Sequence, residues 1–111
     1  MPFVTINTNA ENKDRHLAED AARLAAEILG KPISYVVATV RAGQDMAFDG
    51  SSENKGALIE VKSVGFADKA ELARRLTELT TARLDVEARF VNIEFVNLAA
   101  ADVAIAGRLL G

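Results

Sequence analysis

The spacing of apolar residues along this chain switches from a period of two to one of 3.6 and back, and then repeats the cycle. Residues 2–7 carry Phe3, Val4 and Ile6 and read as a strand. Over residues 14–29 the apolar positions Leu17, Ala21, Leu24, Ala25 and Ile28 trace one side of a helix, with Glu19, Asp20 and Glu27 at polar positions. Gly30 is suited to terminate that helix and Pro32 prevents its continuation. Residues 34–40, SYVVATV, form a second predicted strand.

The second cycle starts with a strand over 57–64, and Gly65 opens the turn that follows. A helix is predicted over 69–84, where Asp68 and Glu71 have capping-box spacing and Leu72, Leu76 and Leu79 supply the buried stripe. Residues 90–96, FVNIEFV, complete the cycle. The fold class is therefore α/β: tandem β-α-β units forming a four-stranded mixed sheet with two helices, as one domain over residues 1–111. Two helices cover only one face of such a sheet. The second strand alternates Tyr35, Val37 and Thr39 with Val36, Ala38 and Val40, and the fourth places apolar side chains at both parities. Self-association that packs open faces or edges together resolves this surplus.

Composition narrows the function classes. Sixteen acidic residues against 13 Lys and Arg, with no basic cluster, argue against a nucleic-acid partner. The absence of cysteine removes disulfides, thiol redox chemistry and thiolate metal sites, and a lone His16 reads as a solvated or half-buried side chain rather than a ligand. No predicted segment reads as a secretion leader or a membrane span, so the expected compartment is cytoplasmic, with leaderless secretion left open. The long segment 41–56 is polar at its ends, with Met46 and Phe48 placed to plug a core or a subunit contact.

Pro2 directly follows Met1, and removal of the methionine exposes a secondary amine that can accept and return a proton. The surrounding segments then matter: MPFVTINTN at the start, LGKP at 29–32, MAFDGSSE at 46–53, KSVG at 62–65 and AADV at 100–103. In this order and spacing the chain resembles the macrophage migration inhibitory factor family, including the D-dopachrome tautomerases. The resemblance implies a homotrimer whose sheets surround a central channel, with three active sites between subunits. It implies a cofactor-independent isomerase, a keto-enol tautomerase of small 2-oxo acids or phenylpyruvate-like enols, that uses neither metal nor organic cofactor. The family's catalytic terminal proline matches Pro2, its substrate-holding lysine matches Lys31, and its hydrogen-bonding backbone amide matches Val64.

Other positions depart from the family pattern. A tyrosine supplied by the neighbouring subunit falls on Asn92, and an asparagine two residues later falls on Glu94. A pocket-lining tryptophan falls on Ile105, and a near-terminal phenylalanine on Leu110. Asn92 lacks a phenol, and an ionised Glu94 favours a protonated Pro2 and repels a carboxylate. Lys55 lies where many relatives carry Cys-x-x-Cys. These changes motivate the alternative of a non-catalytic homotrimeric small-molecule-binding or cytokine-like signalling module.

Overall fold

The computed structural model describes every residue from Met1 to Gly111. Strand β1 (Phe3–Thr8) leads through helix α1 (Leu17–Leu29) to strand β2 (Val37–Arg41). Strand β3 (Ala57–Ser63) leads through helix α2 (Lys69–Leu84) to strand β4 (Val91–Asn97). Each pair joined by a helix is parallel, and β1 meets β3 antiparallel, giving the sheet order β2-β1-β3-β4. Both helices pack on one sheet face. There Val4, Ile6, Ile59 and Val61 meet Leu17, Ala21, Leu24, Leu72 and Leu76 in one apolar cluster. No helix is long and apolar enough to cross a membrane.

The expected two-unit α/β architecture is observed, with shifts at element ends that have local causes. Helix α1 starts at Leu17 rather than Asp14, because the Asp14 side chain accepts the His16 N–H at 2.8 Å and holds the preceding residues in a turn. His16 itself is exposed. Strand β2 starts at Val37 rather than Ser34. The Val37 N–H donates to the Pro2 carbonyl at 3.1 Å, but a further rung would need an N–H that Pro2 lacks, so Ile33–Tyr35 coils into a 3-10 turn instead. Asp68 forms half of its predicted box: its side chain accepts the Glu71 N–H at 3.1 Å, while the Glu71 carboxylate pairs with Arg74.

The 41–56 segment is pinned by side chains from the end of β1. The Asn9 amide donates to the carbonyls of Met46 and Asn54 and accepts the Gly56 N–H, and the Thr8 hydroxyl donates to the Gly56 carbonyl at 2.6 Å. Phe48 is buried with its ring 6.1 Å from that of Phe90, as expected for a plug. Phe90 lies in a 3-10 turn ahead of β4, and only glycine fits at position 56, where a Cβ would lie 2.3 Å from the Phe90 carbonyl oxygen.

The helix-free face corrects one expectation. On β2 it carries Val37, which is 53% exposed, and on β4 it carries Asn92, Glu94 and Val96. Alternation sends Val36, Ala38 and Val40 of the second strand, like Val91, Ile93 and Phe95 of β4, to the helices, so each strand leaves one valine, Val37 or Val96, among polar residues outside and the expected apolar surplus is smaller than the pattern suggests. The tail, residues 103–110, forms a separate hairpin of β5 (Ala104–Ile105) and β6 (Arg108–Leu109).

Candidate functional site

A cavity of about 520 Å³ opens where β1 begins, α1 ends, β3 ends and the C-terminal hairpin folds back, and its lining is mostly apolar. This size and character are those of small-molecule sites. Met1, Lys31, Tyr35, Val64, Ile105 and Arg108 all border it.

Helix termination delivers Lys31. Gly30 adopts a left-handed φ of 65°, and the Lys31 N–H closes back onto the Ala26 carbonyl at 3.0 Å, a Schellman-type end that turns the lysine away from the helix axis. Its ammonium donates to the Val64 carbonyl at 3.3 Å, tying the end of α1 to the end of β3. The Val64 N–H has no acceptor within the chain, while the next amide, Gly65, donates to the Asn97 side chain at 3.0 Å. The cavity thus has an ammonium and an uncommitted backbone donor on one wall.

Pro2 is fully buried beneath Met1, which is itself only 8% exposed and lines the cavity. With Met1 attached the Pro2 nitrogen is an amide and carries no basicity. The amine at this place is that of Met1. Its pKa is lowered from the ordinary value, first by desolvation and then by the positive charge of Lys31. The environment at the start of the chain therefore favours a neutral amine.

Of the residues expected at the site, Lys31, Val64 and Ile105 line the cavity, as does Leu110, and Pro2 lies just behind Met1. Asn92 and Glu94 do not reach it within one chain: they are exposed on the helix-free face of β4, in register with Leu58 and Glu60. Two polar side chains of the lining, Tyr35 and Arg108, were not assigned to the site from sequence. Tyr35 read only as part of a strand, and Arg108 gave a faint signal as the lone cation in the apolar tail.

Fold and site together define a tandem β-α-β protein with a cation-bearing apolar cavity built around its own amino terminus. The whole chain, residues 1–111, matches the profile of the family described as macrophage migration inhibitory factor (MIF), and it belongs to that family. It is 34% identical over 116 aligned positions to a macrophage migration inhibitory factor homolog of Brugia malayi, covering 100% of both chains. A 73-residue stretch, 64% of this chain and 61% of the other, is 41% identical to D-dopachrome decarboxylase-B of Xenopus laevis. Among solved structures, the macrophage migration inhibitory factor of Trichinella spiralis superposes with a TM-score of 0.88 at 27% identity, covering 96% of this chain and 98% of that one.

Proposed function

We propose that the mature chain, after loss of Met1, is a keto-enol tautomerase of small 2-oxo acids or phenylpyruvate-like enols, with the Pro2 nitrogen as acid and base. The observation that carries this reading is the depressed amine at the chain terminus beside Lys31 in an apolar cavity. A secondary amine placed there is biased toward the free base near neutral pH, the form a general base requires. Family membership and the likeness to a D-dopachrome decarboxylase support the same class of chemistry.

In the forward step neutral Pro2 takes the enol hydroxyl proton, leaving an enolate. Lys31 and the Val64 N–H stabilise the negative oxygen. Protonated Pro2 then returns the proton to the adjacent carbon, giving the ketone and restoring the amine. The working form is a homotrimer, in which a neighbouring copy brings Asn92 and Glu94 to the cavity and Ile105 closes its apolar side. The exposed apolar side chains of Ile33, Tyr35 and Val37 and the polar, unburied Asn92 and Glu94 support an assembled site.

The same preparation separated by mass spectrometry into Met1-retaining and Met1-free chains tests the reading without altering the sequence. Turnover of enol phenylpyruvate resides in the Met1-free fraction, and the retaining fraction is slower by at least about 100-fold. A folded Pro2→Gly protein with unchanged turnover, or equal rates in the two fractions, overturns it. The exposure of Glu94, whose charge opposes a neutral amine, favours the second reading, a non-catalytic binding or signalling trimer. That reading predicts carboxylate binding without turnover.

A further inference from the structure

We infer that Arg108 anchors the substrate carboxylate, leaving Lys31 to the oxygen that becomes negative during proton transfer, an inference that rests on the tautomerase reading above. The cavity has two cationic side chains, Lys31 and Arg108, and one phenol, Tyr35, yet no Asp or Glu lines it within the chain. The other two cavities are mixed in sign. The interhelix groove sets Asp20, Glu27 and Glu78 against Arg23 and Arg75, and the hollow beside Asn9 sets Glu11 and Asp85 against Lys13, Lys55 and Arg83. In a chain of net charge -3, a lining whose charged side chains are all cationic is a property of this one cavity.

Arg108 is uncommitted and held by backbone. It forms no ion pair, unlike Arg23, Arg74, Arg83 and Arg89. It stands opposite Ile105 across a tight hairpin whose two turn residues, Ala106 and Gly107, both have positive φ, the pattern of a type I′ turn. The Leu110 N–H donates to the Val103 carbonyl at 2.9 Å, a further rung that closes the hairpin at its base on a buried residue. The guanidinium therefore projects from a defined strand pair rather than from a loose tail.

The charge count of the reaction explains the two cations. A 2-oxo acid enters with one negative charge, its carboxylate, and acquires a second on the enolate oxygen once Pro2 has taken the proton. A planar guanidinium matches a carboxylate with two parallel hydrogen bonds, whereas the ammonium of Lys31 is a point charge suited to a single oxygen. Arg108 interacts equally with ground state and transition state and governs KM, while Lys31 meets charge that exists only along the reaction and governs kcat.

The test compares phenylpyruvate with its methyl ester, which enolises but has no carboxylate, in Met1-free protein. Arg108→Gln raises KM for the acid about tenfold, so the acid-over-ester ratio of kcat/KM falls by about the same factor, and Arg108→Lys recovers part of it. An equal loss on both substrates assigns Arg108 a structural role and overturns the inference, as does no change on either. Binding of phenylacetate, an unreactive carboxylate, is measured in parallel by calorimetry and weakens about tenfold in Arg108→Gln. If Pro2→Gly shows that there is no Pro2-dependent turnover, the tautomerase reading fails, and phenylacetate binding alone still decides whether Arg108 holds a carboxylate.

Discussion

The two faces of one sheet carry different tasks in this protein. Along β1, the even residues Val4, Ile6 and Thr8 are sealed against the helices, while the odd residues Phe3, Thr5 and Asn7 remain partly open. Along β3, Ala57, Ile59, Val61 and Ser63 are buried, while Leu58 and Lys62 are exposed. The helix-packed face is complete within one copy. The other face carries exposed apolar and charged groups, and the cavity opens at the strand ends beside it. Stability is thus concentrated on one face, while the other face and the cavity at the strand ends stay open.

The sharpest way to break this contrast uses two adjacent residues of β3 that point in opposite directions. Ile59→Ala empties a fully buried position between both helices and costs about 2–5 kcal/mol of unfolding free energy. Leu58→Ala, at a side chain 37% exposed on the helix-free face, costs under about 1 kcal/mol. Urea unfolding of both variants at several protein concentrations measures the difference. An equal cost at every concentration would show that the two faces are not distinct, whereas a Leu58→Ala cost that grows with concentration places that face in a subunit contact.

Most of the closed face was legible in the sequence, because one-sided burial imposes a period on the residues that provide it. Leu17, Ala21, Leu24, Leu72 and Leu76 appear in the pattern and in the core alike. The start of β2 was not legible, since the missing Pro2 N–H matters only once β1 and β2 are known to pair in register. Lys31 was assigned through the resemblance carried by LGKP, while the helix end that presents it follows local rules for a glycine terminus. Arg108 could not, because its position depends on the hairpin folding back across the chain to meet residues far away in sequence. Strand parity correctly put Asn92 and Glu94 on one face, where both are exposed, but parity does not say what that face contacts.

A smaller effect tests how completely the closed face satisfies its own polar groups. Thr80 lies on the buried side of α2 with its hydroxyl oxygen unpartnered, and an unpaired buried polar group is destabilising. Thr80→Val keeps the shape and removes that oxygen, so it stabilises by roughly 1 kcal/mol at an unchanged denaturant slope. A loss of more than about 0.5 kcal/mol would mean instead that the hydroxyl has a hydrogen-bond partner in solution.

The smallest effect lies at the rim of the closed face, where Arg83 of α2 reaches Asp14 and Asp20 at 2.6 Å each and bridges to the start of α1. The Asp14 carboxyl is held below its ordinary value of 3.8, first by the His16 N–H and then by hydrogen bonding to Arg83. A carboxyl with a depressed folded-state pKa contributes stability that is present above the unfolded value and is lost as pH falls through the folded one. Arg83→Gln therefore lowers stability at neutral pH, and the gap from wild type narrows as pH drops through 3.8 and below. Part of the pH dependence persists in the variant, because the largest cause, the His16 N–H, is untouched, and Asp14→Asn removes the Asp14 contribution altogether. Thermal melts across the acid range measure both. A gap between Arg83→Gln and wild type that stays constant down to full carboxyl protonation would show that Arg83 acts by packing its stem against the helices rather than through charge.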